Sequence, residues 1–140
     1  MAGFSPARER PSTTIEVVYP GVLLRIPTNS EVRARVDRLE LPWNDYGIDP
    51  YGVSKDALAI WFSAMRPFYR HYFSVEAHGL EHVPRAGRVM LVGNHSGGFA
   101  LDGMMTICSQ FFDGEPPRLA QAMVEKFMNT VPFGSQITSR

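Results

Sequence analysis

His95 lies in "GNHSGGFALDG", residues 93–103, after the apolar run "RVMLV" and before a stretch with helical spacing. The end of a buried strand, with glycines behind it, is where α/β folds place ligands. An imidazole there can take up a proton near pH 7, and an acidic partner would hold its tautomer and stabilise the developing charge. Asp102 is the nearest acid. Seven residues of continuous helix would separate the two Cα atoms by ~10 Å, so contact requires the intervening chain to turn. Gly97 and Gly98 permit the positive φ angles of such a turn, which would set Asp102 at the mouth of the next helix. On spacing alone the same residues also read as a loop histidine, a helix cap and turn glycines.

Other candidate groups carry less chemistry. "NHSGG" resembles a degraded G-x-S-x-G elbow with Ser96 as nucleophile, but a serine hydrolase of that type needs a later histidine and none follows Ser96. His78 and His82 have the i, i+4 spacing of a helical metal pair, yet Gly79 and Pro84 argue against a helix, so no metal site is expected. Cys108 is the sole cysteine, so it forms no intrachain disulfide; its place on an apolar helix face makes it a buried, inert thiol.

The elements that must position His95 and Asp102 follow from patterning. Polar, proline-bearing "MAGFSPARERPSTT" lacks the apolar core of a signal peptide and reads as a disordered leader. "IEVVY" and "VLLRI", split by Pro20 and Gly21, are weak strands or turns, and the block 1–29 as a whole is assigned to a flexible leader. Ser30 is placed to cap "EVRARVDRLE", with Val32, Val36 and Leu39 on one face and the arginines on a solvated one. The segment "LPWNDYGIDPYGV" reads as an ordered loop anchored by Trp43, Tyr46 and Tyr51. Ser54 then opens a helix with Asp56 in its first turn and Arg66, Arg70 and His71 near its end, kinked or stopped at Pro67. Together residues 30–72 form a helical and loop region.

From Phe73 the pattern predicts strands at 73–77, 89–92 and 118–124, with a helix carrying Met104, Ile107, Cys108 and Phe111 toward the sheet. The fold class expected is α/β, a mainly parallel sheet flanked by helices with a right-handed crossover. About three strands leave an exposed sheet edge, so the domain looks incomplete at its C-terminus.

Fourteen basic and fourteen acidic residues balance, which gives no global field for a polyanion and argues against nucleic acid as a partner. The apolar stretch 57–65 is far short of the roughly 20 residues that cross a bilayer. Trp61, Phe62, Phe68, Tyr69 and Tyr72 beside late cations are what an interfacial membrane helix needs, although amphipathic stretches more often pack on the core of their own domain. A reducing compartment fits the lone thiol.

"HGLEHVPRAGRVMLVGNHSGGFALDG" resembles the first signature block of the glycerolipid acyltransferase family, the PlsC-like lysophospholipid acyltransferases, in the flavour of the monoacylglycerol and diacylglycerol acyltransferase-like branch. The likeness runs over roughly residues 51–134 and includes "YRHYFSVEAHGLEHVP" and "LAQAMVEKFMNTVPFG". It implies a glycerol-phosphate-acyltransferase-like fold, with residues 73–140 as the first half of the α/β domain. It implies acyl transfer from an acyl-CoA or acyl carrier protein thioester to a lipid alcohol, without a covalent acyl-enzyme or a further cofactor. His95 is then the general base and Asp102 its orienting acid; Asn94, Ser96, Gly97 and Lys126 are substrate-binding candidates. The implied location is cytoplasmic, peripheral on the cytoplasmic membrane face. The family spacing is H-x4-D, whereas this chain has H-x6-D, so two extra residues must bulge. The family's later blocks, including an F-P-E-G-T-R-S-like element, do not occur in these 140 residues. The competing reading is a non-catalytic membrane-peripheral or partner-binding fragment of the same fold.

Overall fold

The computed structural model describes residues 14–19, 22–95 and 100–123. Within the block assigned to a flexible leader, β1 (Thr14–Tyr19) and β2 (Val22–Pro27) form an antiparallel hairpin with Tyr19 opposite Val22. Period-two alternation places Ile15 in the core and Val17 against it, while Glu16 pairs with Arg25 at 3.0 Å on the solvent side.

Helix α1 (Ser30–Asp37) is capped one residue earlier than its sequence suggests: Asn29 Oδ1 accepts from the N–H groups of Glu31 and Val32 at 3.0 and 3.2 Å. Val32, Val36 and Leu39 are buried, as their spacing predicts. The arginine face is not simply solvated. Arg33 pairs with Asp56 at 2.8 Å, and the Arg35 side chain, 14% exposed, reaches across to the end of the last helix.

The loop before α2 is held by side-chain carbonyl and carboxylate oxygens rather than by its tyrosines. Asn44 Oδ1 accepts from the N–H groups of Tyr46 and Ile48, and Asp49 Oδ1 from those of Tyr51 and Val53. Such short side chains mimic a turn's own backbone bonds, so the tyrosines are free to point outward. Tyr46 and Tyr51 are exposed, whereas Trp43 packs against the core and donates Nε1–H to the Leu39 carbonyl at 3.1 Å.

Helix α2 (Lys55–Pro67) begins where Ser54 Oγ accepts from the Ala57 N–H at 3.1 Å. Pro67 has no N–H to continue the ladder, and the chain widens into a π-turn at Phe68–Tyr72, closed by Phe73 N–H donating to the Phe68 carbonyl at 2.9 Å. This divides the aromatic stretch: Phe62 and Tyr69 are fully buried, while Phe68, Tyr72 and Phe73 are exposed.

Helix α3 (Leu101–Phe112) packs most deeply at its end, with Met105 and Ile107 half-buried against the core ahead of it. Its last five residues, Cys108 to Phe112, are all buried, and Phe111 stacks on Phe62 with ring centroids 3.6 Å apart. It therefore meets α2 where the sequence pattern expects a sheet.

The three strands expected after residue 72 have no ladder among the described residues, whose sheet is the β1–β2 hairpin. Ser74, at φ 46°, interrupts the alternation at 73–77. Residues 89–92 expose apolar side chains, Val92 by 86%, because a strand needs a neighbouring edge and the described chain offers them none. Residues 118–123 are likewise unladdered, and residue 124 lies outside the described range.

Candidate active site

Asp102 occupies the first turn of α3, where the helix dipole favours a carboxylate. Its Oδ1 accepts from the Gly103 N–H at 2.8 Å, which fixes the carboxylate plane. Immediately before the helix, Ala100 takes the left-handed conformation at φ 55°. That costs an alanine about 1 kcal/mol, and it is the conformation from which the chain enters the helix. Gly97 and Gly98, the residues expected to make the turn, lie outside the described residues.

His95 meets Asp102. Nδ1 lies 2.9 Å from Oδ2 and 3.1 Å from Oδ1. A carboxylate only accepts, so the neutral imidazole must carry its proton on Nδ1 and leave the Nε2 lone pair free as a base. The His95 side chain is 60% exposed and Asp102 is 32% exposed, so solvent screening limits the pair's contribution to stability to ~1 kcal/mol or less. Its value is orientation: one ring nitrogen is fixed so that the other is available.

Asn94, the neighbouring candidate, is exposed. Ser96, Gly97 and Lys126 lie outside the described residues. Among the described residues, the apolar side chains of Met90, Leu91, Val92 and Leu101, close in sequence to the pair, are exposed. A cavity of about 390 Å³ opens between α1 and the start of α2, bounded by Arg33, Trp43, Tyr46, Lys55 and Asp56. Neither His95 nor Asp102 lines it, and its cations are paired, Arg33 with Asp56 and Lys55 with Asp37.

His78 and His82 flank Gly79 in its left-handed conformation, and each lies near its own glutamate, Glu76 at 3.7 Å and Glu81 at 3.5 Å. Cys108 is fully buried, and burial pushes its thiol up to about 11. It stays protonated at neutral pH, so native protein is expected to resist iodoacetamide and to label stoichiometrically in denaturant, measured by intact mass. Rapid alkylation of the native thiol would contradict that burial.

Three polar groups that hold this region escaped the sequence reading. Arg35 donates to the carbonyls of Phe111 and Gly114, both at 2.7 Å, and to Glu115 at 3.0 Å. Arg118 donates to the carbonyls of Pro84 and Gly87. Tyr69 donates to Asp113 at 2.5 Å; its burial and then this bond raise the phenol's pKa well above the usual value. A cluster of basic residues on α1 signals only that cations are present, since the acceptors of Arg35 lie 76 or more positions away.

Among the described residues no helix is long and apolar enough to cross a membrane. No family model matches the chain, and no solved structure matches it. Over 62 residues, 44% of this chain, it is 37% identical to uncharacterized proteins of Mycobacterium tuberculosis (strain ATCC 25618 / H37Rv) and Mycobacterium bovis (strain ATCC BAA-935 / AF2122/97). A similar uncharacterized protein of Mycobacterium leprae (strain TN) is 36% identical over the same length. The matched segment spans 17% of the length of these relatives.

Proposed function

We propose that this chain carries part of an O-acyltransferase in which His95 is the general base and Asp102 orients it. The observation that supports this reading is the bond of His95 Nδ1 to the Asp102 carboxylate, which leaves Nε2 unprotonated and open to an incoming hydroxyl. In the reaction the lipid alcohol's O–H proton passes to Nε2 as its oxygen attacks the thioester carbonyl of an acyl-CoA or acyl carrier protein. The C–S bond then breaks, and the departing thiolate takes the proton from the imidazolium, which restores the base. Asp102 stabilises the imidazolium while it exists. The resemblance of residues 78–103 to the first block of glycerolipid acyltransferases supplies the substrate class: a thioester donor and a glycerolipid alcohol met at a membrane surface.

The test is ester formation and thiol release from long-chain acyl-CoA with monoacylglycerol or a lysophospholipid as acceptor. The intact mass of the native protein sets the chain to use: a mass above that of 140 residues calls for the longer form. Asp102→Asn is expected to lower turnover about 10²-fold or more, because an amide can donate to Nδ1 and so favour the wrong tautomer. Acyl transfer at the wild-type rate after the Asp102→Asn substitution would remove Asp102 from the mechanism.

A further inference from the structure

The contact between His95 and Asp102 joins two chain segments that share one root. Asp102 stands at the start of α3, whose first seven residues are half-exposed or exposed and whose full burial begins at Cys108. The helix is thus gripped by its far end. All three Arg35 guanidinium nitrogens are engaged there, on the Phe111 and Gly114 carbonyls and on Glu115. A cation on the last carbonyls satisfies groups that a helix terminus otherwise leaves open and complements its dipole. The segment that carries His95 starts beside the same turn. Arg118, whose own N–H donates to the Gln110 carbonyl at 3.1 Å, holds the carbonyls of Pro84 and Gly87, eleven and eight residues before His95. Residues 110–118 therefore root both arms.

We infer that Arg35 and Arg118 are positioning residues for the His95 and Asp102 pair, an inference that rests on the proposed roles of those two side chains. The lever arm supplies the magnitude. From Phe111 back to Asp102 α3 runs about 14 Å, so a tilt of about 5° at the gripped end moves Asp102 by about 1 Å. That displacement takes a bond of 2.9 Å beyond the range in which it holds a tautomer. Helix packing guards only partly against such a tilt: the fully buried side chains of α3 lie in its last five residues, and upstream of them the half-buried Met105 and Ile107 reach the core. Arg38 provides an internal comparison. It reaches Glu115, the outer member of the cluster, and grips no carbonyl of α3.

The experiment reads the tautomer of His95 by long-range proton–nitrogen NMR of the 140-residue chain at a pH where the ring is neutral. Its signals are separated from those of His71, His78 and His82 by their loss in His95→Gln. The wild type is expected to carry its proton predominantly on Nδ1, and Asp102→Asn to lose that predominance, which defines the signature of a broken pair. Arg35→Gln and Arg118→Gln are expected to show the same loss with helix content retained by circular dichroism. Arg38→Gln is expected to match the wild type. If either glutamine variant loses helix content, Arg35→Lys and Arg118→Lys carry the test: each keeps a cation with fewer directed bonds and should shift the tautomer balance partway. A wild-type tautomer in folded Arg35 and Arg118 variants overturns the positioning role while leaving the pair intact. An Asp102→Asn spectrum identical to wild type instead overturns the pair itself, and the positioning role with it.

Discussion

Replacing His95 by alanine is expected to lower acyl-transfer turnover about 10³-fold while changing stability by no more than about 0.5 kcal/mol. The two magnitudes separate because of where the side chain sits. At 60% exposure and bonded to a part-exposed carboxylate, His95 contributes little packing that alanine would lose. What alanine removes, in the proposed mechanism, is the proton acceptor. Without it the attacking hydroxyl must shed its proton to water or attack as a neutral alcohol, and at 1.36 kcal/mol per tenfold in rate the loss corresponds to about 4 kcal/mol of transition-state stabilisation. Steady-state assays with acyl-CoA and a lysophospholipid, run beside thermal melts, check both halves. Near-normal turnover by the alanine variant would sink the general-base assignment. A large fall in melting temperature would show instead that the ring is structural.

Truncating Phe62 should have the largest effect on stability. The ring is fully buried, stacked on Phe111 at 3.6 Å with an interplanar angle of 12°, and met edge-on by Trp61 at 4.8 Å and Phe112 at 5.7 Å. Phe62→Ala deletes the contact by which α2 holds α3 and leaves a cavity that neighbouring rings fill incompletely, at a cost of about 3–5 kcal/mol. In a domain of this size that lowers the melting temperature by about 10 °C. Chemical denaturation with an unchanged slope would measure the loss directly; a destabilisation below about 1 kcal/mol would mean that the rings are not packed as described. Tyr72→Ala is the useful comparison, since that ring is 76% exposed and its truncation leaves no cavity in the core.

Much of the helical scaffold was legible from residue types. The helix expected to open after Ser54 does so, with Ser54 as its cap, and the spacing of Val32, Val36 and Leu39 identified a face that is buried. These are local effects: a cap needs one oxygen within three residues, and an apolar stripe follows from 3.6 residues per turn. The segments 14–19 and 22–27 read as weak strands or turns inside a block assigned to a flexible leader, and they pair as antiparallel strands. For the loop at 41–53 the aromatic residues drew attention, although Asn44 and Asp49 do the anchoring with bonds two to four residues away.

Residue types and order by themselves determined that His95 had an acid within reach only if the chain turned, that the α3 segment is a helix, and that Cys108 belongs to its apolar side. Tertiary structure decided the rest. It brought the His95 ring nitrogen to 2.9 Å from Asp102, selected Phe62 and Tyr69 for the core over Phe68 and Tyr72, and sent Arg35 to the end of α3. It also left residues 89–92 without a ladder, which their apolar run could not foretell, because a strand is a property of two segments and sequence pattern reports on one. Periodicity and capping act over a few residues and can be read along the chain. Which distant carbonyl an arginine finds, and which aromatic ring is covered, depends on how whole elements pack.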